Sequence, residues 1–246
     1  MRQCAGEPGD PSARMTELLS PAELEALRLS LAVALRSVLL SLPPAVLLAW
    51  ILTRARFPGR TVLDAFVHLP LVLPPVAIGY TLLLLFGAHG PVGSFLLRHF
   101  GVRLAFTTAG AALATAVMTF PLMVRAIRLS IEAVDTRLES AAGTLGANPL
   151  WVFATITLPL CLPGVIAGAI LSFAKSMGEF GATITFVSNI PGETQTLPSA
   201  IYTFTQVPGG DAGALRLTAI SIAISMIALL GSELLAHRIG ARRVAT

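Results

Sequence analysis

Long apolar runs separated by short polar stretches dominate the sequence. They lie at about 29–52, 62–86, 104–124, 156–177 and 217–236. Each is close to the ~20 residues that an α-helix needs to cross ~30 Å of hydrocarbon. The runs are continuously apolar rather than alternating, so they predict helices and not the strands of a membrane β-barrel. The pattern predicts an all-α integral membrane protein with about five transmembrane helices.

Composition excludes an ordinary soluble domain. Of the 246 residues, 54% are hydrophobic and only 12% are charged, whereas soluble domains carry about 25% charged residues. The net charge of +4 does not indicate nucleic-acid binding, because the arginines are scattered and no aromatic-rich basic face appears. Cys4, Cys161 and the four histidines show no metal-ligand spacing. We predict no nucleic acid, no cofactor and no metal.

Arginine placement predicts the orientation in the membrane. Arginines follow the first, third and fifth runs, at positions 54, 56, 60, 125, 128, 137, 238, 242 and 243. The opposite side has positions 98, 103 and 216. Because short positively charged loops stay in the cytoplasm, the N-terminus is predicted outside and the C-terminus inside. The connection at about 125–155 is then cytoplasmic.

The remaining segments are polar. Residues 1–20 lack the apolar core of a signal peptide and are predicted to be a disordered tail, with Met15 as an alternative start. The membrane domain is predicted at 21–238, followed by a cytoplasmic tail at 239–246. Residues 178–213 are too polar to span, so they are predicted to be a re-entrant or interfacial segment outside, with a short helix at 196–205.

One connection carries a motif. Residues 139–159 read ESAAGTLGANPLWVFATITLP, in which Gly146 is followed by nine residues and then by Ile156-x-Leu158-Pro159. This resembles the E-A-A-x3-G-x9-I-x-L-P signature of ABC-importer permeases, a cytoplasmic loop on which an ATPase subunit docks. The resemblance implies coupling roles for Glu139, Ala141, Ala142, Gly146, Ile156, Leu158 and Pro159. In the strict register the glutamate position is Ser140, so the face that Glu139 presents is left open.

The same connection has local folding signals. Residues 136–145 have helical composition, and Gly146 can take the left-handed conformation that ends a helix. Asn148 before Pro149 is typical of an N-cap with proline at the first helical position. We predict a helix, a tight turn and a short helix at 149–155, and we call this arrangement the elbow.

The chain lacks its own ATPase motif. A Walker A loop needs G-x-x-x-x-G-K-[ST], and the only lysine, Lys175, follows no such glycine-rich loop. ATP is therefore expected to be hydrolysed by a separate subunit, and the chain is not predicted to be an enzyme.

Longer stretches resemble one branch of the importers. The runs 57–80, 120–147 and 178–202 are similar to permease subunits of molybdate ABC importers, and the resemblance covers about 21–238. It implies the type I importer fold in the bacterial inner membrane, two copies of the permease, two ATPase subunits and an external molybdate-binding protein. Sulfate, thiosulfate or tungstate import is the alternative. An ion-coupled secondary carrier and an intramembrane enzyme are more remote, since the spans show no acidic relay and no catalytic cluster.

Several polar residues are candidates for an anion pathway or outer mouth. Arg36 and Lys175 interrupt apolar runs near their predicted outer ends, where they either attract an anion or reach to the membrane surface. Glu179 is a candidate gate hinge or receptor contact, or simply a charge at a helix end. Hydroxyl donors for an oxyanion are Thr183, Thr185 and Ser188.

Other polar and proline residues predict local structure in the first two runs. Asp64 and His68 are expected to pair with each other. Pro43-Pro44 and Pro70…Pro74-Pro75 are expected to kink the first and second spans, either as moving parts or as static packing features.

Overall fold

The computed structural model describes the backbone of residues 19–244 and the side chains of residues 19–232 and 234. Residues 1–18 of the tail predicted at 1–20, with its alternative start Met15, lie outside the described residues, as do the side chains of the tail predicted at 239–246. Helices occupy most of the described chain. They are α1 Pro21–Arg54, α2 Arg60–Val72, α3 Pro75–Phe86, α4 Pro91–Phe100, α5 Thr108–Glu132, α6 Thr136–Thr144, α7 Pro149–Val152, a π-helical segment Phe153–Thr157, α8 Leu158–Ser176, α9 Gly181–Val187, α10 Leu197–Thr205 and α11 Asp211–Val244.

Four helical runs are individually long and apolar enough to cross a membrane. They are Pro21–Arg54, Thr108–Glu132, Pro149–Ser176 and Asp211–Ser232. The predicted second span is not a single helix, because the helical axis bends by 113° between α2 and α3. Pro74 and Pro75 stand at this break, where proline cannot continue the helical hydrogen bonds. The predicted kink of the second span is confirmed, whereas α1 remains helical through Pro43 and Pro44.

The helices extend beyond the apolar runs that predicted them. The first begins at Pro21 rather than residue 29, because Ser20 and Glu23 form a reciprocal capping box at its N-terminus. The helix of the third apolar run, α5, continues to Glu132, so Arg125 and Arg128 lie within it and not in a loop. Hydropathy predicts where a helix enters hydrocarbon, but caps and polar contacts decide where it ends.

The centre of the bundle is formed by α1, α5 and α8. Leu52, Met123, Ile127 and Cys161 are fully buried in one apolar cluster there. The crossing of α5 and α8 depends on a G-x-x-x-G pair. A Cβ atom on Gly164 would lie 2.2 Å from Ser130 Cβ, and one on Gly168 would lie 3.2 Å from Ala126 Cβ. Small residues at these positions let the two helices approach closely.

The far end of the bundle, opposite the elbow, is closed by the segment that follows α8. Helix α9 packs on α3 so tightly that a Cβ on Gly79 would lie 2.5 Å from the Ala182 carbonyl oxygen. Helix α10 matches the short helix predicted at 196–205, and its Leu197 N–H donates to Ser30 Oγ at 2.6 Å. Contacts from this segment to both α1 and α3 fix it to the spans.

Candidate functional site: the elbow and its anchor

The elbow is built by two capping motifs on either side of a glycine. At the end of α6, the Gly146 N–H bonds to the Gly143 carbonyl and the Ala147 N–H to the Ala142 carbonyl, at 3.0 and 3.1 Å. This is a Schellman ending, and Gly146 has the positive φ (84°) that it requires. Asn148 Oδ1 then accepts from the Leu150 N–H at 3.0 Å and caps α7. The predicted turn and N-cap are confirmed.

The second arm of the elbow is continuous with the fourth span. The sequence predicts a short helix at 149–155 and a span from residue 156, and the structure shows no break between the two. Helix α7, the π segment Phe153–Thr157 and α8 form one unbroken helical run from Pro149 to Ser176. The π segment supplies the wider turn directly before Leu158 and Pro159, so the chain enters α8 without a break. Helix α7 is therefore joined to α8 without an intervening loop.

The outer surface of the elbow is apolar and exposed. Leu145, at the turn, is 89% exposed, and Leu150 and Trp151 on α7 are 64% and 65% exposed. Ala141 is also exposed, whereas Ala142 is half-buried. These three large apolar side chains form the exposed tip of the elbow.

Glu139 faces away from that tip. Its carboxylate pairs with Arg54 at the end of α1, with Nε 2.9 Å from Oε2 and Nη2 3.1 Å from Oε1. It also accepts from the Thr157 hydroxyl at 2.7 Å. Arg54 further donates to the carbonyls of Ile131 and Val134. The sequence alone gives no sign of this role of Arg54, because its partner is far along the chain and the motif register gives no direction for Glu139.

The last motif residues lie where the elbow joins the bundle. Ile156 is half-buried, Leu158 packs on the central apolar cluster, and Pro159 is exposed. Trp50 of α1 contacts Phe153 of the π segment, with ring centroids 5.1 Å apart. The elbow therefore rests on α1 through an aromatic contact as well as an ion pair.

The two candidate pathway cations lie at the same level of neighbouring helices. Ser37 of α1 and Ser176 of α8 share a hydrogen bond of 3.1 Å, and Arg36 and Lys175 immediately precede them. Both cations are exposed, and within residues 19–232 neither forms a side-chain hydrogen bond or ion pair. Their side chains are thus available to solvent, lipid or an anion.

The other pathway candidates are mostly engaged within the fold. Glu179 is 3% exposed and its Oε1 accepts from the Ala182 N–H at 3.0 Å, which caps α9. The hydroxyls of Thr183 and Thr185 donate to carbonyls of their own helix turn. Ser188 ends α9 with φ 65° and is exposed. Of the three hydroxyls, Ser188 is the one in an open position.

A separate polar cluster joins α2 to α5. His68 Nδ1 hydrogen-bonds to the Asp64 backbone carbonyl at 2.8 Å and lies 3.3 Å from Asp64 Oδ1, so the two residues expected to pair are adjacent. Arg128 Nη1 donates to Asp64 Oδ2 at 3.0 Å. Arg128 also pairs with Glu132 at 2.9 Å. Among the described residues, no group of three or more histidine, cysteine, aspartate or glutamate side chains is placed to hold a metal.

Comparison with known proteins gives a consistent family. Residues 29–241 match the family model described as binding-protein-dependent transport system inner membrane component. The chain is 59% identical over 220 residues to the molybdenum transport system permease protein ModB of Escherichia coli K12, which covers 89% of this chain and 96% of that protein. It is 55% identical to ModB of Haemophilus influenzae over 88% of this chain and 94% of that protein. The sulfate permease CysT of Salmonella typhimurium is 39% identical over 81% of this chain and 71% of its own length.

Solved structures show the same fold at low identity. A bacterial ABC transporter that imports alginate superposes with a TM-score of 0.72 at 17% identity, covering 93% of this chain and 84% of that chain. An amino acid ABC transporter gives a TM-score of 0.64 at 16% identity, covering 94% and 100%. The predicted all-α importer fold and the family resemblance are both confirmed. The chain belongs to the family of inner membrane components of binding-protein-dependent transport systems.

Proposed function

We propose that this chain is the membrane-spanning subunit of an ATP-driven importer that moves molybdate across the inner membrane. The observation that carries the proposal is 59% identity across 96% of a molybdenum transport permease. The sulfate permease is less similar and is matched over less of its length. Tetrahedral dianions are the shared substrate class, and molybdate is the favoured member.

The elbow supports a separate ATPase partner. Its exposed apolar tip, Leu145, Leu150 and Trp151, is suited to a groove on another protein. The sequence has no Walker A loop, so hydrolysis is assigned to that partner. One matched structure is described as an ABC transporter in complex with a substrate-bound periplasmic protein, which supports an external binding protein for this chain as well. We propose an assembly of two permease copies, two ATPase subunits and one binding protein.

We also propose that the N-terminus lies outside and the C-terminus inside. The arginines that follow the first, third and fifth apolar runs outnumber those on the other side. Under this orientation the elbow faces the cytoplasm, and Arg36 and Lys175 lie towards the outer surface. They are proposed to attract the dianion as it leaves the binding protein, with the exposed Ser188 as a further hydroxyl donor.

Transport in vesicles tests the proposal. The permease, its ATPase and its binding protein are reconstituted together, and uptake of labelled molybdate is measured with each component present or omitted. Uptake is expected only with all three proteins and ATP. Preference for sulfate, thiosulfate or tungstate in competition would move the assignment to that anion. Uptake driven by an ion gradient without the ATPase would show that the chain is a secondary carrier and not a subunit of an ATP-driven importer.

Thiol labelling tests the orientation. A cysteine placed at Leu145 is expected to resist a membrane-impermeant maleimide on intact cells and to react after the membrane is opened. A cysteine at the exposed Ser188 should react on intact cells. Native Cys161 is buried, and replacing Cys4 by serine removes the remaining background. The reverse labelling pattern would invert the proposed topology.

A further inference from the structure

The Arg54 guanidinium joins four parts of the chain at one point. It begins on the last turn of α1, and it reaches the carbonyls of Ile131 at 3.1 Å and Val134 at 3.3 Å, where α5 ends. Its other contacts go to Glu139 of α6. Glu139 in turn accepts from Thr157 of the π segment. We call Arg54, Glu139 and Thr157 the junction.

The junction has the geometry of a rigid connection. Arg54 presents Nε and Nη2 to one carboxylate, the forked arrangement that fixes orientation as well as distance. Its side chain is 21% exposed and that of Glu139 is 17% exposed, so solvent competes weakly for the contact. Four elements held by this ion pair, three through Arg54 and the π segment through Glu139, cannot move independently without losing charge-assisted hydrogen bonds.

Helix α6 has few other fixed contacts to the bundle. Its nine residues include no buried side chain, and its far end stops at the exposed Gly146 turn. An element without buried apolar contacts gains little stability from packing. Its angle to α1 and α8 therefore depends on the junction and on the connection through α7.

We propose that Arg54 is a positioning residue that makes α6 follow the spans. The inference rests on the proposed function, in which a partner ATPase pushes and pulls the elbow. With the junction intact, displacement of α6 is transmitted to α1 through Arg54 and to α8 through Thr157. Without it, the partner still binds the outer tip of the elbow, but α6 tilts on its own and the spans no longer follow.

The test compares hydrolysis with transport in the reconstituted importer. Arg54→Met and Glu139→Gln are each expected to lower molybdate uptake about tenfold while ATP hydrolysis stays within about twofold of the wild type, a coupling loss of ordinary size. The ATPase subunit should still co-purify. The double variant should be no worse than either single one, because both remove the same contact.

Two further variants set the scale. Arg56→Met removes an exposed arginine two positions away and is the matched control, expected to keep wild-type uptake per ATP. Thr157→Val removes one hydrogen bond to Glu139 and keeps the side-chain shape, so a two- to threefold loss of uptake is expected, corresponding to about half a kcal/mol. A proportional fall of hydrolysis and uptake in the Arg54 variant, or uptake equal to that of the control, would contradict the positioning role.

A substrate-independent measurement separates this inference from the proposed function. Hydrogen exchange of the full-length permease in nanodiscs is expected to be at least tenfold faster over 136–144 in Arg54→Met than in Arg56→Met, with α8 unchanged. If the wild-type complex carries another anion, the molybdate assignment fails and the coupling comparison is made with that anion. If exchange over 136–144 is unchanged in Arg54→Met, the junction proposal fails whatever the substrate.

Discussion

The two ends of the bundle each hold an arginine–glutamate pair, and the pairs differ in what they join. At the far end, Arg216 near the start of α11 donates through Nε and Nη2 to Glu23 on the first turn of α1, at 3.1 and 2.8 Å. Both partners belong to long spans, and Glu23 is 1% exposed. At the elbow end, Arg54 joins a span to a short helix that lies outside the core. One pair fastens span to span, and the other fastens span to elbow.

The difference separates stability from transmission. Glu23 is so deeply buried that losing its cation leaves its carboxylate, among the described residues, with only the Ser20 N–H as a hydrogen-bond donor, which is a cost to folding. Glu139 is closer to water and its helix has no fully buried side chain, so losing its cation frees a helix and leaves the core unchanged. The far-end pair should therefore appear in unfolding experiments, and the elbow pair should appear in coupling experiments.

The largest expected effect is at the far end. Arg216→Met should lower the free energy of unfolding by about 3 kcal/mol, the low end for a broken buried pair, because Arg216 is itself half exposed. Denaturant titration of the purified permease measures this. Uptake per folded molecule should be unchanged. Arg103→Met, which removes an exposed arginine, is the control. Equal losses of unfolding free energy in the two variants would show that the far-end pair has no special role in stability.

A smaller effect is expected at the turn of the elbow. Gly146→Val forces a β-branched residue to a φ of 84° and should cost about 1–2 kcal/mol locally. No atom lies within 4 Å of the added Cβ, so the cost is backbone strain alone. Uptake per ATP, or retention of the ATPase subunit, should fall.

Asparagine tolerates the left-handed conformation better than valine. Gly146→Asn is therefore expected to keep most of the wild-type uptake per ATP. Wild-type uptake per ATP in Gly146→Val would show that the turn geometry is not needed.

The smallest effect is expected at the proposed outer mouth. Lys175→Met should lower uptake by about two- to fivefold at limiting molybdate and leave it unchanged at saturation, because electrostatic attraction acts on encounter. Initial rates over a range of substrate and salt concentrations measure this. The comparison variant is Arg28→Met, which removes an exposed cation of α1. Unchanged rates at every concentration would leave Lys175 with only a role at the membrane surface.

The sequence predicts the parts of this molecule that local chemistry decides. The apolar runs, the Gly146 turn and the Asn148 cap each follow from a few adjacent residues. Helix α4 does not stand out in the hydropathy pattern, because it has only ten residues. The direction of Glu139 does not follow from the sequence, since its arginine lies 85 positions earlier in the chain.

The break between α2 and α3 restricts what can surround it. Pro74 and Pro75 carry no N–H, so the helical hydrogen bonds that would end at the Pro70 and Leu71 carbonyls cannot form. Acyl chains offer no donor to replace them, and irregular backbone at membrane depth is tolerated only against protein or in a water-filled cavity. The inside of this bend must therefore be wet or covered by protein, and α9 of the same chain already approaches it, since a Cβ on Gly181 would lie 2.7 Å from Pro75 Cβ.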